Sequence, residues 1–274
     1  MSLTGKTLFI TGGSRGIGLE IALVAAEQGA NIVIAARSDK PQPKLPGTIH
    51  TAAEQIEKAG GKCLPLVMDI RDEERVAECA AQAAEHFGGI DILVNNASAI
   101  YLAGSLAVPI KRFDLMQQVN ARGSFVASQA CLPYLLKADN PHILTLSPPI
   151  DLRPQWFAHH TAYTMSKYTM SMVTLGLAAE FGPQGVGVNS LWPQTVIDTA
   201  ALAMLKGLVN RDNCRNPRIV AAAALAIFKR KAAECSGNFF IDEAVLREEG
   251  VRDFASYAIC PGKPLKTDLF LDNA

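Results

Sequence analysis

Thr7-Leu8-Phe9-Ile10-Thr11-Gly12-Gly13-Ser14-Arg15-Gly16-Ile17-Gly18 is the stretch on which the fold turns. Five residues suited to a buried strand run straight into a turn with glycines at 12, 16 and 18. From Ile17 to Gln28 apolar residues then return at three- and four-residue spacing, closed by Gly29 as a helix stop. A strand, a glycine-rich turn and a helix in this order bring free N–H groups and a positive helix dipole to one point, with no Cβ to hold an anion away. The glycines are not spaced as GxGxxG, so the turn is read as a wider one with the same logic. Gly12, Ser14, Arg15, Gly16, Ile17 and Gly18 are expected to hold a pyrophosphate.

Outward from this unit the same rhythm repeats. Strand-like runs are read at Thr7–Thr11, Asn31–Ala35, Cys63–Met68, Ile90–Val94, His142–Ser147, Val186–Trp192 and Asn238–Ile241. Helical spacing is read at Arg71–Phe87, stopped by Gly88-Gly89, and at Thr161–Phe181, followed by Gly182-Pro183. Strands apolar throughout, alternating with helices, indicate a parallel sheet covered on both faces. The predicted fold is α/β, a single Rossmann-like doubly wound domain with a seven-stranded parallel sheet. Three stretches depart from the rhythm. Residues 38–50, with Pro41, Pro43, Pro46 and Gly47, read as an inserted loop, and residues 195–216 read as a mobile flap. Residues 243–274 lack periodicity, but Phe254, Tyr257, Leu265, Leu269, Phe270 and Leu271 make them too apolar to float free. The division is therefore a nucleotide-binding domain over 1–242 and a C-terminal extension over 243–274, docked on the same domain or on a neighbouring subunit.

Bulk properties narrow the function. In 274 residues, 49% are apolar and 19% charged, and the formal net charge is zero, so a large core forms and nothing asks for nucleic acid or an anionic membrane. The short basic run Lys229-Arg230-Lys231 reads as a helix C-terminus. Six cysteines without a CxxC pair, and no histidine spacing suited to zinc, read as reduced thiols in a cytoplasmic protein with no metal site. Neither a signal peptide nor a membrane span is read.

The second strand ends Ala35-Ala36-Arg37, where a carboxylate would meet the ribose 2′-hydroxyl of NAD. Arg37 there, with Arg15 in the glycine turn, suits a 2′-phosphate gripped by two guanidinium groups, so NADP(H) is the expected cofactor and NAD(H) the less favoured one. Asp69 and Ile70, just past the third strand, are placed to meet adenine. Asn96 and Ala97 follow the fourth strand, at the carboxyl edge where ligands of such sheets lie. Tyr163 and Lys167, spaced i, i+4, share a helix face. A free tyrosine titrates near ~10, and lowering that by ~3 units takes roughly 4 kcal/mol of preferential interaction, much of which a partly desolvated lysine one turn away can supply.

Together, Thr11-Gly12…Gly16…Gly18, Asn95-Asn96-Ala97-Ser98, Asn120 and Tyr163…Lys167 resemble the short-chain dehydrogenase/reductase family over roughly residues 4–242. The resemblance implies that Tyr163 is the general acid or base and that Lys167 binds the nicotinamide ribose and lowers the tyrosine pKa. It further implies that Asn120 holds a water linking Lys167 to solvent. Pro193 and Val196 would lie beside the nicotinamide, Val196 meeting the carboxamide through its backbone. A homodimer or homotetramer acting on a small-molecule carbonyl or alcohol is implied too. Ser147-Pro148-Pro149, Trp156-Phe157, Leu191-Trp192-Pro193 and Pro261-Gly262 are similar to the hydroxysteroid dehydrogenase-like branch, without the sterol-carrier domain that members of it carry beyond this point.

One part of the pattern breaks. The family's carbonyl-binding serine stands about thirteen residues before the tyrosine, whereas Ser147 stands sixteen before and is followed by proline. Either the two prolines rotate Ser147 inward to serve as the donor, or another group does. His159, His160 and Thr161 are nearby, the adjacent histidines reading as surface residues. Ser98 for the usual glycine and Gln194 after Pro193 are lesser departures. The function read is an NADP(H)-dependent oxidoreductase on a ketone or secondary alcohol. Trp156, Phe157 and the flap residues Ala200, Leu202, Met204, Leu205 and Leu208 suggest a lipid, acyl or steroid-like substrate. The alternative is a dinucleotide-binding sensor or scaffold with little catalysis.

Overall fold

The computed structural model describes residues 2–42, 46–205, 207 and 209–272, and of residues 203–205 the backbone. Pro43, Leu208 and the side chains of Met204 and Leu205, named above, lie outside the described residues.

The chain alternates strand and helix: β1 (Thr7–Thr11), α1 (Gly16–Ala26), β2 (Asn31–Ala36), α2 (Ile49–Lys58), β3 (Lys62–Val67), α3 (Glu73–Phe87) and β4 (Ile92–Asn95). There follow α4 (Ile110–Met116), α5 (Gly123–Leu135), β5 (His142–Thr145), α6 (Thr161–Phe181), β6 (Gly187–Trp192), α7 (Arg218–Lys229), β7 (Phe239–Ile241) and α8 (Asp242–Glu248). All seven strands pair in parallel, in the order β3-β2-β1-β4-β5-β6-β7. The expected doubly wound sheet is therefore the fold. The strand order reverses between β1 and β4, which makes their carboxyl ends the crevice in which ligands of such sheets lie.

Pleating divides the core in two. Leu8, Ile10, Ile32 and Ile34 point to the layer of α1, α7 and α8, whereas Phe9, Val33 and Ala35 point to the layer of α3, α5 and α6. Helix ends follow the sequence closely. Gly88 closes α3 in the left-handed conformation, with φ +85°. After α6, Gly182-Pro183 opens a further short turn, and the left-handed residue is Gly185. The basic run does end a helix, α7, and Arg230 then pairs with Glu248. In the inserted loop, Thr48 caps α2 through a reciprocal bond with Thr51.

The last segment folds back across the molecule. Phe254 packs into the α7–α8 layer, and residues 264–272 return to the carboxyl edge of β6, where Phe270 is buried.

Candidate active site

The glycine turn is clamped from its neighbour. Gly12 and Gly16 sit at φ +67° and +60°, and a Cβ on Gly12 would come 2.9 Å from the Ala97 Cα. The Asn96 side-chain amide donates to the carbonyls of Thr11 (3.0 Å) and Gly12 (3.1 Å). Thr11 Oγ1 accepts from the N–H groups of Asn96 and Ala97. Helix α1 opens beyond the turn with no side-chain cap and no acid in its first turn, so its first N–H groups remain for an anion. Thr199, which the sequence reading passed over, faces the same loop, 3.4 Å from a Cβ built on Gly16.

At the tip of β2 the two arginines divide their tasks. Arg15 donates to the carbonyls of Pro46 and Gly47 and to Ser38 Oγ, each at 2.8 Å. Arg15 thereby ties the inserted loop to the strand end through Nε and Nη2. Arg37 stays exposed, its Nη1 3.9 Å from Asp69. Asp69 is itself bonded by the Arg71 side chain and N–H, and these bonds hold its carboxyl below the ordinary carboxylate range. Ile70 is buried, and a Cβ on Gly123 would come 2.7 Å from it.

At the other side of the crevice Tyr163 and Lys167 lie one turn apart on α6, both buried. Lys167 Nζ donates to the Leu146 carbonyl at 2.6 Å and lies 5.1 Å from the centre of the Trp192 ring. Burial pushes its pKa down to about 7 against the opposing charge of Asp268. Burial, and secondarily Asp268, pushes Tyr163 above the usual phenol value. The Tyr163 hydroxyl makes no hydrogen bond among the described residues, so it is not spent on structure.

Asn120 sits in a short π-helical segment, Gln117–Arg122, between α4 and α5. Its Oδ1 accepts from the Ala99 N–H, and its amide donates to the Ala99 carbonyl and to Ser166 Oγ, which donates to the Tyr163 carbonyl. Both donors of the side chain are thus used within the protein. Asn120 braces Ala99 against the turn that carries Tyr163.

Ser147 is the larger correction. Its hydroxyl points into the core, 2.8 Å from Ser190 Oγ, which in turn donates to Thr174. Thr174 is eleven residues beyond Tyr163 on α6, about 16 Å along the axis. The reason is local: Pro148 has no N–H, and its carbonyl is fixed to Ser171 at 2.6 Å, so the segment lies flat along α6 with Leu146 facing Lys167 and Ser147 facing the sheet.

His160, read as a surface residue, is half-buried beside Tyr163, whereas His159 is exposed. Thr164 Oγ1 gives its proton to the Trp156 carbonyl, so His160 Nδ1 must donate to Thr164. Burial lowers the His160 pKa, and the neutral ring so oriented keeps only an acceptor at Nε2.

The C-terminal strap completes the site. Thr267 bridges Thr195 antiparallel, the Val196 N–H donates to the Lys266 carbonyl at 2.9 Å, and the Asp268 N–H donates to the Gln194 carbonyl. Trp192 Nε1 donates to the Leu269 carbonyl, and Arg153 pairs with Asp272. The Val196 carbonyl accepts from the Arg215 N–H, so with the strap in place both backbone groups of Val196 are engaged within the chain. Pro193, three residues earlier, is buried. Beneath the strap, Asp242 Oδ1 accepts from the N–H groups of Gln194 and Glu243, and burial pushes this carboxyl up to about 6. Burial pushes Asp268 up to about 7.

Three comparisons bear on this geometry. The short chain dehydrogenase family profile matches residues 6–206. Curated proteins named hydroxysteroid dehydrogenase-like protein 2 are 56% identical over 98% of this chain in Danio rerio and 57% over 98% in Rattus norvegicus. The chain spans 65% of the length of the first and 51% of the second. A crystal structure of a Xanthomonas campestris protein is 60% identical, with a TM-score of 0.97 over 100% of both chains. One of a Mycobacterium thermoresistibile short chain dehydrogenase is 50% identical, with a TM-score of 0.94 over 99% of this chain and 96% of that one.

Proposed function

This chain belongs to the short-chain dehydrogenase family, and on that premise we propose that it is an NADP(H)-dependent oxidoreductase that interconverts a ketone and a secondary alcohol, with Tyr163 as general acid and base. One observation carries the reading: a buried tyrosine with an unspent hydroxyl stands one helical turn from a buried lysine, at the sheet edge where the glycine clamp opens.

The residues fit a dinucleotide. Gly12 and Gly16 leave the turn without Cβ atoms, and α1 offers free N–H groups to the pyrophosphate. Gly18 and Asn96 hold the turn in shape, Ala97 lies against it, and Asp69 stands toward the adenine end. The cofactor, when bound, supplies or receives the hydride. Tyr163 gives its proton to the carbonyl oxygen in reduction and takes it from the hydroxyl in oxidation. Lys167, when charged, lowers the cost of the phenolate. Asn120 positions Tyr163 through Ser166, and Trp192 shields the pair from water. An apolar, acyl or steroid-like carbonyl agrees with the surrounding aromatic residues and with the name of the curated relatives.

NADP(H) is supported by Arg37, exposed at the tip of β2, and by the absence of an acid at the end of that strand. NADPH is expected to bind at least ~10-fold tighter than NADH, since a hydrogen bond to a charged group contributes about 1.5–3 kcal/mol. Arg37→Ala should close most of that gap. Equal affinities of the wild type in a fluorescence titration would refute the 2′-phosphate reading.

For Ser147 the expectation now reverses. Ser147→Ala should leave turnover within about 2-fold while removing roughly 1 kcal/mol of stability, because it breaks a buried hydroxyl chain. A ~10²-fold fall in rate, the scale of losing an oxyanion donor, would return Ser147 to the carbonyl.

Self-association of this chain is supported by an apolar stripe on α6, where Met165, Met172 and Leu175 are exposed beside Phe125 of α5. Six free thiols accord with a reducing, cytoplasmic setting. A second reading, a sensor or scaffold, is favoured by the strap's hold on Val196 and its contact with Tyr163. Tight NADPH binding with no turnover across a panel of ketones would select it.

A further inference from the structure

Phe270 is 2% exposed. Its ring stacks on Tyr163 at 6.2 Å with an interplanar angle of 28°. Trp156, His160, Tyr168 and Trp192 close around it at 5.3–6.3 Å. Its backbone is at φ +72°, and the other described non-glycine residue with positive φ is His159, beside the same cage. A non-glycine residue holds that conformation only where its surroundings demand it, and such strain collects at functional sites.

The strap that delivers this ring is held by few bonds. Among the described residues, from Lys266 to Leu269 they are the Val196 and Asp268 amide bonds that make the antiparallel bridge, the Lys266 N–H bond to the Asn213 carbonyl and the Trp192 indole bond. Tyr163 meanwhile has a hydroxyl that bonds none of the described residues and a ring face covered by Phe270. A carbonyl carbon presented to that hydroxyl must bring its substituents into the space beside the ring, which the Phe270 side chain fills.

We infer that Phe270 stands in the place of a flat, apolar ring of the substrate, so that the strap lifts when a ring-bearing ketone enters the aromatic cage. The inference rests on Tyr163 being the proton donor to a carbonyl. It adds the substrate class, a planar aromatic or fused-ring ketone rather than a straight acyl chain. It also makes the strap a competitor for that subsite. Planar rings are favoured because the cage offers one near-parallel ring face, that of Tyr163, with four further rings set tilted or edge-on around it, a geometry a flexible chain exploits poorly.

The test uses the full chain and two ketones, acetonaphthone and the straight-chain dodecanone. Both tryptophans of the protein lie in the cage, so their emission reports occupancy directly, without turnover. Acetonaphthone should change the wild-type emission. It should bind at least ~10-fold tighter to Phe270→Ala, with Phe270→Leu between, as expected when a buried phenylalanine no longer competes. Dodecanone should gain less than about 3-fold, having no ring to stack in the vacated place. Unchanged acetonaphthone affinity in both variants, or equal gains for the two ketones, would overturn the inference.

Hydrogen exchange on the wild type guards against a variant that fails to fold. Saturating acetonaphthone should speed exchange of the Val196 and Asp268 amides, whose bonds close the strap, and unchanged or slower exchange would count against it. The two readings fail separately. Ring binding with these responses but no NADPH oxidation leaves the subsite and removes the reductase. Turnover of acetonaphthone with no response to Phe270 leaves the reductase and removes the subsite.

Discussion

Replacing Tyr163 by phenylalanine is expected to lower kcat by ~10³-fold or more while NADPH affinity changes by less than about 3-fold, since a positioned general acid contributes some 10²–10⁴-fold. The substitution is unusually clean at this position. The Tyr163 ring packs on Phe270 and in the cluster of Met116, Ala162 and Trp192, and phenylalanine preserves that packing. The hydroxyl it removes bonds no described residue, so no partner is left unsatisfied and the melting temperature should hold or rise. A fall in rate therefore reports the proton and not the fold. Both kcat and the cofactor dissociation constant are needed, because a joint loss would mean that the cradle had moved. Retained activity at a tenth of wild type or more would mean that another group carries the proton.

The sheet was legible because its information is local. The uninterrupted apolar runs Leu8–Ile10 and Ile32–Ala35 can only be strands covered on both faces, and the glycine stops place the helices between them. Tyr163 and Lys167 were legible for the same reason, as their shared face follows from helix geometry alone. What was not legible depends on contacts across the chain. The apolar character of the tail marked it for docking, yet nothing near Phe270 in sequence says that its ring ends on Tyr163, more than a hundred residues earlier. Val196 follows the family pattern, but its N–H is claimed by Lys266, seventy residues on. His160 reads as half of a surface pair until Phe270 and Thr164 are placed beside it. The direction of the Ser147 hydroxyl is not legible in the sequence, because it depends on how Pro148 lies along α6, which the Ser171 bond fixes. Local periodicity thus builds the scaffold and its proton-handling pair, while the walls of the site come from segments far apart in sequence.

A second large effect is expected at Gly18, where Gly18→Ala should destabilise the protein by roughly 2–4 kcal/mol and weaken NADPH by ~10²-fold or more. Within an exposed helix, alanine for glycine gains up to about 1 kcal/mol. Gly176 in α6, with nothing within 4 Å of its Cβ position, should show that gain. Gly18 is also helical, but its Cβ would lie 2.4 Å from Asn96 Nδ2 and 2.9 Å from Asn96 Cγ. No relaxation of a few tenths of an ångström relieves 2.4 Å, so the Asn96 side chain must leave. Its departure breaks the bonds to the Thr11 and Gly12 carbonyls, each worth about 1 kcal/mol, with a further penalty wherever a carbonyl stays dry. The same bonds hold the glycine turn at the N-terminus of α1, so the anion cradle loosens with them. The loss thus outweighs the gain in helix propensity, and the sign opposes that at Gly176. Melting temperatures of the two variants, with NADPH titrations of each, check this. If Gly18→Ala melts no lower than wild type and binds NADPH as well, the clamp between Gly18 and Asn96 does not hold the turn.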